Sequence, residues 1–419
     1  MFLVLSKRIP VVVALASVFL IGCKPSDAAG PYPYWPCFHG AAGDNISTDT
    51  GLLKRWPDGG PKLIWTAKGM GAGFSSVSLA HGLIYTAGNI DGKSVVIALG
   101  LDGKNKWQTP CGKAWTKNYP GTRGTPTIDG DRLYFETPFG DVVCLNAKTG
   151  NKIWGLNILE EFVANNIQWA LAESVVIDGD QLICCPFGEK GSVVALDKKT
   201  GDTIWAADPV RDKAGYATPT IAEFGGRRIV LTMTSKALVG VDADAGKLLF
   251  RHEHITKYDV NALKPLYANG HVFISSGYRS GSEMVKLSAA GGKITAEQVW
   301  ASKDMDNHHG GVILWDGYIY GARSSGKWVC FDWRTGETKY SERGVGKGSV
   351  TLADGLLYIL SENGGKVGLV KPTPEGHEII SQFKIPPGGE GKSWAHPVVC
   401  GGRLYIRHGD FLFAFNVKE

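Results

Sequence analysis

Ten side chains suited to ligand binding lie in short polar stretches, and each stretch comes just before an apolar segment that favours a strand. They are Trp115, Arg123, Asn166, Trp169, Tyr216, Asn261, His308, His309, Trp394 and His396. Aromatic rings can stack on a ligand, while amide, imidazole and guanidinium groups can form hydrogen bonds with it. If the fold gathers these stretches, they predict a site for a sugar or a peptide. The alternative is a solvated rim with no specific ligand.

Three of these residues could also bind a metal. His308, His309 and His396 carry imidazoles, which are common ligands of divalent cations. Adjacent histidines usually face apart, however, so we predict no metal site.

The motifs of several common enzyme classes are missing from the sequence. It contains neither a G-x-S-x-G nucleophile elbow nor an H-E-x-x-H zinc motif. The run from Asp91 to Ser94 resembles the end of a phosphate-binding loop, but Ala87 occupies the position of the first glycine. Carboxylates for glycoside hydrolysis cannot be chosen without distances. We therefore assign no catalytic residue and favour a non-enzymatic role, while an enzymatic one stays open.

The N-terminus has the pattern of an export signal. Lys7 and Arg8 precede an apolar run over residues 11–20, and Leu20-Ile21-Gly22-Cys23 resembles a lipobox. We expect residues 1–22 to be a lipoprotein signal peptide and Cys23 to carry the lipid anchor. Lys24 stands where an aspartate would retain the protein in the inner membrane. This favours the outer membrane, facing the periplasm, over the inner membrane or the cell surface. An ordinary cleavable signal is the alternative.

Composition narrows the class of protein. The 45 basic and 40 acidic residues are too balanced for nucleic-acid binding. The cysteines other than Cys23 are scattered and include no C-x-x-C pair, so neither a disulfide framework nor a zinc site is predicted. The 419 residues exceed the size at which one compact core usually stops growing, which implies two domains or a repeat array.

An internal repeat decides between these two organisations. VCLNAKTGNKIW (143 to 154) and VALDKKTGDTIW (194 to 205) are two copies, and each reads as two strands joined by a glycine turn and closed by an aromatic residue. The closing aromatics recur 40 to 51 residues apart, and a further hairpin precedes each copy. The residues that we assign to the structural repeat are Trp65, Trp107, Trp154, Trp205, Trp300, Gly150, Gly201 and Gly336. We predict an all-β, eight-bladed β-propeller of four-stranded blades.

The chain ends predict how the ring closes. The last hairpin runs into FLFAFN (411 to 416) with no tryptophan strand after it, whereas PKLIWTAKG (61 to 69) is such a strand without a hairpin. We expect the N-terminal strand to complete the C-terminal blade and to bury Trp65. The expected organisation is a signal over residues 1–22, an N-terminal tether and lead-in over residues 23–60, and a single propeller over residues 61–419.

The repeat resembles that of PQQ-like propellers. The residues that carry the resemblance are Ala195, Asp197, Thr200, Gly201 and Trp205, in the pattern A-x-D-x-x-T-G-x-x-x-W, and similar copies cover nearly the whole mature chain. Quinoprotein dehydrogenases of this superfamily use a vicinal disulfide, pyrroloquinoline quinone (PQQ) and calcium, so Cys184-Cys185 invites comparison. The pair lies in the middle of a strand, where successive side chains point to opposite faces, and we interpret it as structural.

The resemblance extends to the propeller lipoprotein of the outer-membrane assembly machinery. Together with the lipobox, the regular blades and the absence of a catalytic set, this favours a non-enzymatic scaffold or binding protein of the bacterial cell envelope, with envelope proteins or peptides as partners. We also expect a monomer and no cofactor. The alternative is a PQQ-dependent dehydrogenase or a carbohydrate-active enzyme that uses the channel mouth.

Overall fold

The chain folds into a ring of eight antiparallel β-sheets. The computed structural model describes residues 31–419, so the expected signal peptide and Cys23 lie outside the described part. Each sheet has four strands of the ring, and helical structure in the described part is limited to α1 (Ile158–Glu161). No helix in this part has both the length and the apolar character needed to cross a membrane. The predicted all-β, eight-bladed propeller is confirmed.

Blades 1 to 4 follow the chain without interruption. Before them come two strands of the N-terminal segment, β1 (Ile46–Ser47) and β2 (Leu63–Lys68). Blade 1 contains β3 (Ser78–Ala80), β4 (Leu83–Ile90), β5 (Lys93–Gly100) and β6 (Asn105–Lys113). Blade 2 contains β7 (Thr127–Asp129), β8 (Arg132–Glu136), β9 (Asp141–Asn146) and β10 (Lys152–Asn157). Blade 3 contains β11 (Val176–Asp178), β12 (Gln181–Cys184), β13 (Val194–Asp197) and β14 (Thr203–Ala206). Blade 4 contains β15 (Thr220–Phe224), β16 (Arg227–Met233), β17 (Ala237–Asp242) and β18 (Leu248–Glu253).

Blades 5 to 8 complete the ring. Blade 5 contains β19 (Leu266–Ala268), β20 (His271–Ser276), β21 (Gly281–Ala290) and β22 (Lys293–Ser302). Blade 6 contains β23 (Val312–Trp315), β24 (Tyr318–Ala322), β25 (Lys327–Asp332) and β26 (Thr338–Arg343). Blade 7 contains β27 (Gly348–Ala353), β28 (Leu356–Ser361), β29 (Lys366–Lys371) and β30 (Glu378–Lys384). Blade 8 contains β31 (Val398–Cys400), β32 (Arg403–His408) and β33 (Phe411–Asn416), with β2 as its fourth strand.

Blade 8 closes the ring as the sequence predicts. β2 pairs antiparallel with β33, with Leu63 opposite Phe415 and Lys68 opposite Phe411. Because the first and last parts of the chain share this sheet, the outer edge of β33 is paired.

A β-bulge precedes the closing aromatic position of every blade. In blade 3, for example, the register shifts so that Ala195 pairs with Trp205 while Leu196 pairs with Thr203. The same shift occurs between the third and fourth strands of all eight blades. A bulge bends a strand and changes the direction of a side chain, which here turns the aromatic ring toward the neighbouring blade.

Five tryptophans at this position connect neighbouring blades, and we call them the latch tryptophans. They are Trp65, Trp107, Trp154, Trp205 and Trp300, and their indole N–H groups donate to Leu101, Ala147, Lys198, Ala243 and Trp333 carbonyl oxygens at 2.9–3.3 Å. The ring of Trp154 covers Gly201, whose φ is +84°; a Cβ there would come within 2.9 Å of the indole. Gly150 and Gly336 pack against Trp107 and Trp300 in the same way. The repeated glycine therefore serves both the turn and the blade contact. Trp65 is half-buried, which is less than the full burial that the sequence led us to expect.

Blade 7 has no aromatic residue at the latch position, and a tryptophan of the N-terminal segment packs against this blade instead. Ser381 occupies the latch position, and its hydroxyl accepts a hydrogen bond from the Trp56 backbone N–H at 3.0 Å. Trp56 is 3% exposed and packs against Tyr358 and Phe383 at ring distances of 5.7 and 5.2 Å. This part of the expected tether and lead-in segment is therefore integrated into the ring.

Residues 35–47 cross the axis of the ring. Trp35 pairs with Leu79 of blade 1, while the Gly43 carbonyl accepts from Lys264, just before blade 5. The segment then reaches β27 of blade 7, where Ile46 lies opposite Leu352 in a parallel pair. Blades 1 and 5 are on opposite sides of an eight-membered ring, so this segment obstructs the channel.

Candidate functional site at the channel mouth

A cavity of about 210 Å³ lies at the end of the channel where the innermost strands begin. Seven of the ten residues singled out in the sequence line it: Arg123, Trp169, Tyr216, His308, His309, Trp394 and His396. These side chains come from loops before five different blades. The fold thus gathers stretches of the chain that are far apart in sequence.

The other three candidates do not line the cavity. Trp115 is buried behind Arg123, and its indole N–H donates a hydrogen bond to the Asn118 carbonyl at 3.1 Å. Asn166 is exposed and donates to the Pro138 carbonyl at 2.9 Å, in the turn between β8 and β9 of blade 2. Asn261 is fully buried between blades 4 and 5, where it donates to Thr234 and accepts from Ser276. Their polar groups are occupied by the protein, so they support loops instead of facing a ligand.

A continuous series of rings lines the wall of the cavity, and we call it the aromatic belt. It consists of Trp169, Tyr119, Trp394, His309, His308 and Tyr278, with consecutive ring centroids 4.7–6.1 Å apart. Phe74 packs on Trp394 at 4.7 Å. Such tilted and edge-to-face contacts are favourable arrangements for aromatic groups. The belt is therefore a preformed apolar surface.

Arg123 is the charged residue of the cavity lining. Its guanidinium lies 5.9 Å from the centroid of Phe74 and 5.7 Å from that of Trp115. It donates to the carbonyls of Gly121 and, at 2.8 Å, of Tyr119. Within residues 31–419, no carboxylate lies within ion-pair distance of it. Burial lowers the pKa of Arg123 to about 10, so the group keeps its charge at neutral pH without an internal counterion.

A second group of polar side chains fixes the histidine part of the belt. Glu362 accepts from His309 at 3.3 Å, from the Trp394 indole at 3.0 Å and from Lys347 at 3.0 Å. Burial would raise the pKa of this carboxyl, but the bond from His309 and the charge of Lys347 hold it well below its usual range. Burial lowers the pKa of His308 and of His309. Both imidazoles are therefore neutral at neutral pH, and the charge of Lys347 is balanced by Glu362.

The segment that crosses the channel forms the floor of the cavity. Phe38 lines it and stacks on His39 at a ring distance of 4.0 Å. His39 Nε2 lies 3.2 Å from His396 Nδ1, and His396 Nε2 is 2.9 Å from the His309 carbonyl. The cavity is thus a pocket with a floor and not an open pore, and the N-terminal segment is part of it.

Four contributors to the site were not predicted from the sequence: Phe38, Phe74, Tyr278 and Glu362. The sequence prediction is confined to the stretches before innermost strands, and Phe74 belongs to one of them, before β3. Tyr278 and Glu362 lie in the turns after β20 and β28. In an antiparallel hairpin these turns reach the same end as the start of the first strand. That rule could have found them.

A larger cavity of about 400 Å³ on the other side of Phe38 has a different electrostatic character. There Lys198 pairs with Asp129 and Arg228 with Asp178, each at 2.7 Å. These two cations have carboxylate partners within the protein, in contrast with Arg123 at the mouth.

The quinone comparison can be tested on the cysteines and on the donor atoms of the mouth. Cys184 ends β12 and Cys185 follows it; both are free thiols, fully buried and outside the lining of the mouth cavity. Calcium needs carboxylate and carbonyl oxygens, yet the residues that line this cavity include no Asp or Glu. These residues do not fit a calcium-bound quinone. The expectation of no cofactor stays a prediction.

The histidines do not converge on a common point. His396 is engaged with His39 and the His309 carbonyl, whereas His309 faces Glu362 and His308 faces Lys347. In the part of the chain that the structure describes, no group of three or more His, Cys, Asp or Glu side chains is arranged to hold a metal.

Comparisons with known proteins agree with this architecture. The chain is 25% identical over 307 residues to outer membrane protein assembly factor BamB of Burkholderia pseudomallei, covering 68% of this chain and 73% of that protein. It is 28% identical over 159 residues to a polyvinylalcohol dehydrogenase of Sphingopyxis sp., covering 33% of this chain but only 23% of the dehydrogenase.

Solved structures show the same fold at low sequence identity. BamB from Moraxella catarrhalis aligns with a TM-score of 0.61 at 16% identity, covering 85% of this chain and 99% of that one. The quinohemoprotein alcohol dehydrogenase of Comamonas testosteroni aligns with a TM-score of 0.65 at 12% identity, covering 92% and 81%.

A model of one family matches residues 92–342, more than half of the chain, and its description is outer membrane protein assembly factor BamB. The repeat, the eight blades and this match together place the protein in a family, and the chain belongs to the PQQ-like propellers described as outer membrane protein assembly factor BamB.

Proposed function

We propose that the protein is an exported, lipid-anchored scaffold that binds other envelope proteins during outer-membrane protein assembly, without catalysing a reaction. The observation that carries this proposal is the relationship to an assembly factor over most of both chains. The match to a dehydrogenase covers less than a quarter of that enzyme and gives much weaker support to an enzymatic role.

The geometry supports binding over catalysis. The ring is closed by strand pairing, and the outermost strands expose aliphatic residues, including Ile64, Ile153, Ile204 and Val299. Free strand edges with apolar side chains are a common means of attaching a partner's strand. At the mouth, the three lining histidines are each engaged with another protein group, and the lining among residues 31–419 contains no carboxylate.

The scaffold role is tested by deleting the gene in the native host and measuring the β-barrel proteins of the outer membrane. We expect their amounts to fall and to be restored by the wild-type protein. Unchanged amounts, together with an intact permeability barrier, would count against the role. Thermal-shift measurements with PQQ plus calcium and with a glycan panel test the enzymatic alternative, because a ligand that binds only the folded state raises Tm.

The anchor is tested separately by metabolic labelling with an alkyne fatty acid. The wild-type protein should be labelled and should sediment with the outer membrane, whereas the Cys23→Ser variant should not be labelled and should not sediment with it. Equal labelling of both proteins would disprove acylation at Cys23.

A further inference from the structure

The mouth cavity combines one unbalanced positive charge with an apolar lining. Arg123 has no carboxylate partner among residues 31–419, and every other lining residue is aromatic, aliphatic, hydroxylic or a histidine. Backbone carbonyls and two aromatic rings stabilise the guanidinium, but none of them neutralises its charge, so an anion would gain attraction at this position. A cation would be repelled, so the electrostatics select an anion.

The body of the ligand is indicated by the rings around Arg123. Trp169, Tyr119 and Trp394 form one stretch of the aromatic belt, and Phe74 bridges Trp394 and the guanidinium. An aromatic group placed here would contact ring faces and edges on several sides. The cavity volume of about 210 Å³ is below the roughly 300–1,000 Å³ of sites for drug-sized ligands, which limits the ligand to about one ring.

The backbone of the Arg123 loop is held in an uncommon conformation. Tyr119 has a φ of +53°, in the left-handed region that aromatic residues seldom adopt. The loop is fixed by the bond from Gly121 N–H to the Trp115 carbonyl at 3.0 Å and by the bonds from Arg123. Such conformations persist where the surrounding structure enforces them, and they cluster at binding sites.

We propose that this cavity binds a small monocarboxylate whose carboxylate pairs with Arg123 and whose single aromatic ring packs against the belt. A planar guanidinium matches a carboxylate with two parallel hydrogen bonds. A phosphate monoester would bring close to two negative charges at neutral pH against one cation, which favours the carboxylate. The ligand is either a free arylalkanoic acid or the C-terminal aromatic residue of a polypeptide, since both present the same groups. The site does not depend on the scaffold role.

Calorimetric titration of the purified protein tests the two halves of the ligand. Phenylacetate carries both the ring and the charge, phenylacetamide keeps the ring alone, and acetate keeps the charge alone. We expect phenylacetate to bind at least about tenfold more tightly than either of the others. Trp169 and Trp394 should report the same event through a change in tryptophan fluorescence. Equal affinities for phenylacetate and its amide would overturn the proposal.

Substitutions identify the group that selects the charge. Arg123→Met keeps much of the side-chain volume and should abolish the preference for phenylacetate over phenylacetamide, while Arg123→Lys should retain part of it. Arg343→Met, at an exposed position of β26, is the matched control and should bind like the wild type. Unchanged preference in a folded Arg123→Met protein, as judged by circular dichroism, would also overturn the proposal.

A final pair of probes distinguishes the two sources. Ala-Ala-Phe with a free carboxyl end is compared with the same peptide carrying a C-terminal amide. Tighter binding of the free-ended peptide than of phenylacetate supports a polypeptide end, and tighter binding of phenylacetate supports a free acid. Competitive binding of PQQ with calcium at far higher affinity than either probe would contradict a one-ring site.

Discussion

The latch positions and the channel mouth use the same residue types in opposite ways. Each latch tryptophan donates its N–H to a carbonyl of the neighbouring blade, and several of them cover a glycine there. At the mouth, the rings face one another around a cavity, and the guanidinium has no carboxylate partner in the described part of the chain. The first arrangement is satisfied by the protein itself and the second is not. Repeated positions therefore hold the ring together, and non-repeated positions are where a ligand can add interactions.

The largest effect should come from removing a buried latch tryptophan. Trp205 is 9% exposed and bonds to Ala243 at 3.1 Å, so Trp205→Ala should lower the free energy of unfolding by about 3–5 kcal/mol. Urea denaturation measures this loss. Trp315→Ala is the control, because Trp315 is 37% exposed and lies on β23 outside the latch positions. Equal losses for the two variants would remove the distinction between latch and surface aromatics.

The next effect depends on pH and concerns the floor of the mouth. Burial lowers the pKa of His396 to about 4, below the usual value near 6.5 for an unfolded chain. As pH falls, the imidazole of the unfolded chain is therefore protonated at a higher pH than that of the folded protein. The stability that neutral His396 provides is complete above about pH 6.5 and is lost as pH falls toward 4. Between pH 7.5 and 4.5 this contributes a loss of about 2–3 kcal/mol.

The comparison that isolates this effect is wild type against His396→Gln. Most other titrating groups are common to both proteins. They include Glu173, whose pKa burial raises to about 7, so that its contribution to stability grows as pH falls. His39 is the exception, because its pKa is lowered by burial and then by His396 at 3.2 Å, so the comparison reports on the His39–His396 pair. The urea midpoint of the variant should depend less on pH than that of the wild type. Identical pH dependences would show that His396 does not titrate in this way.

Trp65→Ala tests whether ring closure resembles the other blade contacts. Trp65 is half-buried and bonds to Leu101 at 2.9 Å, so we expect a loss of about 2 kcal/mol, smaller than for Trp205. Because β2 and β33 come from opposite ends of the chain, the variant should also exchange the amide hydrogens of blade 8 faster than those of blade 3. Uniform exchange in the two blades would show that closure is no weaker than any other contact.

The two regions also differ in how far the sequence predicts them. Local signals mark the latch, since Asp197, Gly201 and Trp205 recur at fixed spacing, and Asp197 accepts from the N–H groups of Lys199 and Thr200 as a turn aspartate should. The stretches that surround the mouth were also identified. The sequence predicts only some of the side chains that face the cavity, because side-chain orientation there depends on contacts between loops that are distant in sequence. Asn261, for example, is drawn into the boundary between blades by Thr234 and Ser276. Trp56 and Phe38 could not be placed, because no repeat marks their positions.

The smallest effect is expected at the bulge residue beside a latch tryptophan. Ile204 precedes Trp205 but is 47% exposed, since the bulge turns one side chain outward and the next inward. Ile204→Lys should change the free energy of unfolding by no more than about 0.5 kcal/mol, as for most surface substitutions. A much larger loss, together with a wild-type stability that rises with protein concentration, would mean that a second copy of the chain covers this edge. That result would contradict a monomer. The scaffold role predicts a different result: the variant unfolds with nearly the wild-type free energy but recovers less of the outer-membrane assembly proteins from solubilised envelopes. That combination would assign the exposed edge to partner binding and leave the mouth free for a separate ligand.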